Sequence, residues 1–187
     1  MNNKQELISY INGILRAYPI IILATLYSYY LIFDNQKCYY ATIYLGIVCI
    51  CGDLLKKLFK KIYDYSDTDY IPFIGWGPRP KGGKYSSEFI SEFNLSGESK
   101  SYGMPSGHAL VSVCFAVLLI SYLQNSKLAE DQKNYSIMYV WYITNAVCIS
   151  RILLGNHTFC QVKMGSFFGI LFGLFGLTLN NYINPSI

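Results

Sequence analysis

The stretch Pro105-Ser106-Gly107-His108-Ala109-Leu110-Val111-Ser112-Val113-Cys114-Phe115-Ala116-Val117-Leu118-Leu119-Ile120-Ser121-Tyr122-Leu123 sets a polar, helix-starting tetrapeptide directly in front of fifteen residues without a charge. A bilayer-crossing helix wants about 20 mostly apolar residues, so this block spans if it borrows a few neighbours. Four other blocks read the same way, at residues 17–33, 39–58, 135–154 and 164–179. The chain is therefore expected to be an all-α polytopic transmembrane bundle of about five spans. Ahead of the first block, Leu7, Ile8, Ile11, Ile14, Leu15 and Tyr18 recur at helical spacing with Lys4, Glu6, Asn12 and Arg16 between them. That spacing predicts an amphipathic N-terminal helix over residues 1–16 at the membrane interface, a sixth bundle helix or a frayed terminus being the alternatives.

Composition agrees with a membrane class. Of 187 residues, 52% are hydrophobic and only 14% charged, and the apolar ones lie in long blocks, as one membrane-embedded domain over residues 1–187 requires. The net charge of +4 comes from clusters beside those blocks, which suits lipid headgroups or a phosphate ligand and offers no basic and aromatic stripe for nucleic acid. None of the six cysteines forms a CxxC pair or a zinc pattern, so neither a disulfide scaffold nor a metal centre is expected. The one long polar stretch, residues 63–104, reads as an extramembrane loop carrying Arg79, with a short helix near residues 88–93.

Five crossings place the loop with Arg79, the start of the third block and the end of the fourth on one face, together with the N-terminus. Twelve of the fifteen basic residues fall on that face, against Lys37, Lys127 and Lys133 opposite. Taken alone, the positive-inside rule makes it cytosolic, but residues that bind phosphate bias such a count on whichever face they stand. The sequons Asn94-Leu95-Ser96 and Asn134-Tyr135-Ser136 fall on opposite faces and leave sidedness open.

The polar residues on the shared face carry chemistry. Only two histidines occur, His108 and His157, and both stand there with Arg79 and Arg151. An imidazole attacks phosphorus or protonates a leaving oxygen near neutral pH, and a guanidinium fork holds phosphate oxygens bidentately. Ser106, Gly107 and the exposed N–H groups of the third helix form an anion-binding end. Gly155 permits a tight bend that brings the His157 imidazole back towards the phosphate. One histidine as nucleophile and the other as general acid would give a phosphohistidine intermediate without a metal or other cofactor. Singly, each residue also has a plain reading, as an interfacial histidine, a solvated turn arginine or an arginine snorkelling to headgroups. It is their convergence that points to a membrane phosphatase.

Pro78-Arg79-Pro80, Pro105-Ser106-Gly107-His108 and Ser150-Arg151 with His157 six residues on resemble, in order and spacing, the KxxxxxxRP, PSGH and SRxxxxxHxxxD signature of the type-2 phosphatidic acid phosphatase and vanadium haloperoxidase superfamily. The resemblance covers roughly residues 53–170. It implies a helical core bundle, with His157 as nucleophile, His108 as general acid, and Arg79, Ser106, Gly107 and Arg151 around the phosphoryl group.

Two positions depart from the signature. Seven residues before Arg79 stands Pro72 instead of lysine; Lys56, in Asp53-Leu54-Leu55-Lys56, is the expected replacement for binding substrate, across an insertion. Gln161 replaces the carboxylate that orients the nucleophile. Its amide oxygen still accepts an imidazole N–H, and on this reading Gln161→Asp keeps or raises activity. Tyr102-Gly103-Met104-Pro105-Ser106 and His157-Thr158-Phe159-Cys160-Gln161-Val162 are similar to the dolichyldiphosphatase branch. That branch implies an endoplasmic reticulum membrane enzyme releasing phosphate from a polyprenyl (dolichyl) diphosphate, in the service of protein glycosylation. The alternatives are a broad lipid phosphate phosphatase acting on phosphatidic acid, and a catalytically decayed lipid-binding or structural membrane protein; haloperoxidase relatives are large and soluble, unlike this chain.

Overall fold

Asp34 and Asn35 turn the chain between its two longest helices. Asp34 takes a left-handed backbone conformation (φ 48°), and Asn35 caps the helix that follows, its Oδ1 accepting from the N–H groups of Lys37 and Cys38. The helices are α1 (Asn3–Phe33) and α2 (Gln36–Ser66), and α2 ends where Asp67 adopts the left-handed conformation. The computed structural model describes the backbone of residues 3–80 and 101–183, and the side chains of residues 10–80 and 101–179. Three more helices follow: α3 (Gly107–Gln124), α4 (Glu130–Leu153) and α5 (Phe159–Ile183).

All five are long and apolar enough to cross a membrane, which confirms the all-α bundle of five spans. Many apolar side chains point outward, among them Ile20, Ile32, Ile50 and Leu153. In water such a belt would be costly; against acyl chains it is at home. Residues 1–16 depart from expectation in one respect. From Asn3 onward they are not a separate amphipathic helix but the continuous N-terminal part of α1, because no glycine or cap stands between Arg16 and Ala17 to end it. Pro19, inside the helix, removes a backbone donor and crowds the preceding turn without breaking it. The flanking residues the shorter blocks had to borrow are supplied by extensions of α1, α3 and α5.

Helices α3 and α5 form the closest pair. Gly165, Gly169, Gly173 and Gly176 line one stripe of α5, and side chains on the first three would collide with Ser106, Leu110, Val113 and Val117 of α3 or its cap. Small residues at this spacing let helix backbones approach closely, which is how helices associate where lipid gives no hydrophobic drive. Around this pair, Ile22, Leu45, Val48, Leu110, Val111 and Cys114 form the middle of the core.

The expected loop 63–104 begins later than its predicted start, since α2 runs to Ser66. It opens with a small antiparallel hairpin, β1 (Tyr70–Ile71) and β2 (Gly75–Trp76), with Tyr70 opposite Trp76 and Ile71 opposite Gly75. The Tyr63 hydroxyl donates to the Gly75 carbonyl at 2.6 Å, and Phe59, Tyr63 and Met104 form a second apolar cluster that Ile71 and Ile74 join. Thus the hairpin is fastened to the end of α2 and lies against the start of α5, where a side chain on Gly75 would strike Cys160. The short helix expected near residues 88–93 falls outside the described residues, as do Asn94 and its sequon.

Candidate active site

Each helix end that the sequence places on one face contributes to a single cluster. Helix α4 ends in a Schellman motif: Gly155 is left-handed (φ 64°), its N–H donates to Ile152 O, and the Asn156 N–H donates to Arg151 O at 3.0 Å. The His157 N–H also donates to Arg151 O, at 3.1 Å, so the tight bend expected at Gly155 is present and the backbone of His157 is held against the end of α4. Arg151 is almost fully buried, and its Nε and Nη2 donate to Ser150 Oγ at 3.2 and 3.1 Å.

The first turn of α5 is a capping box, in which the cap hydroxyl and the third helical residue satisfy each other's backbone. The Thr158 Oγ1 accepts from the Gln161 N–H at 3.3 Å, and Gln161 Oε1 accepts from the Thr158 N–H at 3.2 Å. The same Oε1 lies 3.0 Å from His157 Nδ1. On its other side, the Gln161 amide donates to the carbonyls of Trp76, Gly77 and Pro78 at 3.0, 3.1 and 2.6 Å. Carbonyls only accept, so the amide has one possible orientation, with nitrogen to the hairpin strand and oxygen to the histidine. His157 must then carry its proton on Nδ1, which leaves the lone pair on Nε2.

Arg79 stands at that lone pair. Its Nη1 is 3.3 Å from His157 Nε2 and donates to Asn156 O at 3.0 Å, while Nε and Nη2 donate to Ser101 O and Ser101 Oγ, both at 2.8 Å. Two features bring Arg79 there from a distant part of the chain. The hairpin returns the backbone from the end of α2, and the Gln161 amide grips the three carbonyls before Arg79. Gly103 completes the fit, since a Cβ there would come within 2.6 Å of Gln161 Nε2 and 2.9 Å of the Arg79 backbone nitrogen.

Ser106 caps α3 without using its side chain: its N–H donates to Gln161 O at 3.0 Å, but Oγ is buried and makes no hydrogen bond among the described residues. A buried hydroxyl left so at the amino end of a helix is an acceptor-hungry donor beside free N–H groups, the arrangement that receives an anion. Lys56 reaches the same helix start. A Cβ on Gly107 would stand 3.5 Å from Lys56 Nζ, whose side chain is 16% exposed and also meets Asp53 Oδ1 at 3.2 Å. Lys57, Lys60 and Lys61 are exposed, and Lys60 pairs with Asp64. The lysine expected at this site is therefore brought to it, and the insertion before Arg79 is the last part of α2 plus the hairpin. His108, on the first turn of α3, donates from Nε2 to the Arg16 carbonyl at 2.8 Å.

Burial, then the charge of Arg79, push the His157 imidazole down to about 3, opposed by the Gln161 hydrogen bond; His108 and Lys56 add smaller downward effects. The folded protein thus holds a neutral imidazole where the unfolded chain has one titrating near 6.5. Between these values the unfolded state binds the extra proton, so stability is complete above about pH 6.5 and is lost as pH falls, by up to about 1.4 kcal/mol per unit from this group. Thermal unfolding in detergent is expected to show a midpoint that drops from pH 7 to pH 5, with a shallower slope in His157→Asn. Equal slopes would show that His157 does not set the dependence.

All eight residues singled out from sequence lie on this face, and Ser101, Asn156, Thr158, Gly103 and Arg16 join them. Thr158 was legible, because Thr158-Phe159-Cys160-Gln161 is a capping-box pattern; Ser101 and Asn156 act largely through backbone oxygens and leave no sequence signal. The environment of Gln161 also reverses the expectation for Gln161→Asp: a carboxylate would face three carbonyl oxygens, and aspartate is one methylene too short to reach them.

A family model described as the PAP2 superfamily matches residues 36–185. Over 87 residues the chain is 33% identical to Dolichyldiphosphatase 1 of Dictyostelium discoideum, a stretch that makes up 45% of this chain and only 38% of that relative's length. The crystal structure of the first transmembrane PAP2 type phosphatidylglycerolphosphate phosphatase from Bacillus subtilis superposes with a TM-score of 0.61, covering 97% of this chain and 77% of that one at 18% identity. At that identity the likeness is one of fold. The family match takes in α2 to α5, hence every helix end that builds the cluster except α1, and the chain belongs to the PAP2 superfamily as a PAP2-type membrane phosphatase.

Proposed function

We propose that the protein hydrolyses a lipid phosphate or diphosphate through a phosphohistidine on His157, with a polyprenyl diphosphate such as dolichyl diphosphate preferred. The observation that carries this reading is the fixed tautomer of His157, whose Nε2 lone pair stands beside Arg79. In the first step Nε2 attacks the terminal phosphorus, an N–P bond forms, and the bond from that phosphorus to the bridging oxygen (in a monophosphate, to the ester oxygen) breaks with its electron pair going to the leaving oxygen of the lipid monophosphate or alcohol. His108 supplies a proton where that oxygen needs one. Water then attacks phosphorus, giving its proton to His108; the N–P bond breaks, inorganic phosphate leaves, and His157 recovers its lone pair. Arg79, Arg151, Lys56, the Ser106 hydroxyl and the α3 N–H groups at Gly107 hold the phosphoryl oxygens and balance the charge that accumulates on them. No step calls for a metal.

Support for the diphosphate comes from the partial identity to Dolichyldiphosphatase 1 and from the number of cationic groups that converge. An endoplasmic reticulum membrane location follows from the same relative and is part of the proposal. The test is phosphate release by detergent-purified protein in EDTA, with dolichyl diphosphate and phosphatidic acid as competing substrates. Release favouring dolichyl diphosphate is expected; preference for phosphatidic acid would move the substrate to the broad lipid phosphate class, and no release from folded protein would support a decayed, lipid-binding role.

The lysine can be tested within the same assay. Lys56→Ala is expected to lower kcat/KM by about tenfold or more, the worth of a charge-assisted hydrogen bond to phosphate. Lys61→Ala, on the exposed side of α2, is expected to change it by less than about twofold. Equal effects would return the whole lysine run to a positive membrane flank.

A further inference from the structure

Helix α1 enters the site through Arg16, a residue that lies outside all three motifs and outside the family match. Two observations place it. Its carbonyl accepts the His108 Nε2–H at 2.8 Å, so this turn of α1 stands against the first turn of α3. Its side chain points inward: Nε and Nη1 are shielded from solvent, and the guanidinium lies within electrostatic reach of Arg151. Arg79 lies within reach of Arg151 as well, whereas the titratable neighbours acting on His157 are Arg79, His108 and Lys56. Arg79 is thus common to the surroundings of His157 and Arg151, and Arg16 meets the cluster at His108, where its carbonyl accepts the imidazole N–H. Pro19 lacks the N–H that would bond the Leu15 carbonyl, so the loosened turn lies next to this contact.

Position gives Arg16 its chemistry. A nucleophile on one side of a phosphoryl group puts the leaving oxygen on the other, in line; with His108 as the acid that meets this oxygen, Arg16, whose carbonyl holds His108, belongs to that side. From a phosphate monoester the leaving group is an alkoxide, which needs a proton. From a diphosphate it is a second phosphate, whose own second pKa is about 6, so it departs without much help from a proton but with more negative charge to be matched. A guanidinium matches that charge bidentately.

We propose that Arg16 binds the second, non-transferred phosphate of a diphosphate lipid, and so selects diphosphates over monoesters. The proposal deepens the diphosphate reading above and rests on it. It also gives the N-terminal part of α1 a function beyond anchoring: this part of the chain carries the residue that reads the leaving group.

The test uses the whole 187-residue chain and two non-hydrolysable probes, methylenediphosphonate and methylphosphonate, with binding followed by isothermal titration calorimetry so that no turnover is needed. Arg16→Gln is expected to weaken methylenediphosphonate binding by about tenfold more than methylphosphonate binding, as loss of a bidentate charge-assisted contact would. Arg16→Lys, which keeps charge and stem but not the fork, is expected to recover part of that discrimination and to report that the helix still packs. Equal weakening of both probes, or none in protein with an unchanged melting midpoint, would overturn the assignment. In parallel, kcat/KM for dolichyl diphosphate relative to phosphatidic acid is expected to fall in Arg16→Gln by the same factor. If the wild type hydrolyses no diphosphate while the calorimetric discrimination holds, the reading of the preferred substrate fails and the anion site at Arg16 stands.

Discussion

Turnover is expected to fall by about 10⁴-fold or more, equivalent to about 5.5 kcal/mol of barrier, when His157 is replaced by alanine. The size follows from what the imidazole does in the proposed mechanism: it turns one displacement by water into two displacements, and nothing else at its position offers a lone pair to phosphorus. The lone pair is ready before substrate arrives. Gln161 Oε1 fixes the proton on Nδ1, 3.0 Å away, and the downward shift of the imidazole to about 3 keeps Nε2 unprotonated throughout the physiological range. The residual rate in His157→Ala would come from water attacking a phosphoryl group that Arg79, Arg151 and Ser106 still hold. Two measurements decide the matter, phosphate release and transfer of labelled phosphate to protein. The label on wild type should be lost in acid, as a P–N bond is, and should be absent from the variant. A variant that keeps its label, or works within about tenfold of wild type, would remove His157 from the chemistry.

The spans were legible because the bilayer imposes a simple requirement, unbroken apolar length, and five segments of this chain meet it. The helix start at Ser106 and the turn at Gly155 were legible because each rests on a local rule, an anion-binding N-terminus and a left-handed glycine. What the sequence hid depends on partners far along the chain. Strands of two residues have no alternation to detect, so the hairpin at Tyr70–Ile71 and Gly75–Trp76 was invisible inside a polar stretch. Without the hairpin there was no reason to place Trp76, Gly77 and Pro78 against Gln161, and the glutamine looked like a weak copy of a carboxylate. From the sequence Arg16 reads as the polar face of an interfacial helix, although Pro19 behind it marks a disturbed turn. The glycine stripe of α5 was present in the sequence as Gly165, Gly169, Gly173 and Gly176, a spacing that signals close packing in a membrane. An apolar count passes over it, because such a count does not distinguish glycine from leucine.

Gln161→Glu is the sharpest test of how the site is held together, because it changes one amide nitrogen to oxygen and nothing else. Buried completely, Gln161 is the joint of three elements: the capping box of α5, the imidazole of His157, and the chain segment that delivers Arg79. A carboxylate in its place keeps the acceptor towards His157 and Thr158 but turns two donors into acceptors facing the carbonyls of Trp76, Gly77 and Pro78. Ionised, it is a buried charge against three carbonyl dipoles; protonated, it offers one O–H to three oxygens. Either state leaves acceptors without donors, and the expected loss of stability is about 3–5 kcal/mol, in the range for breaking a buried polar network from one side. Arg79 should then lose its placement, because the segment just before it is no longer gripped, and kcat/KM is expected to fall by about 10²-fold or more even in protein that remains folded. Gln161→Asp should do no better, since the shorter side chain reaches neither the carbonyls nor the imidazole at the present geometry. A Gln161→Glu protein with an unchanged melting midpoint and undiminished activity would mean that the amide contributes nothing beyond its oxygen, and that Arg79 is held in place by Ser101 and Asn156 alone.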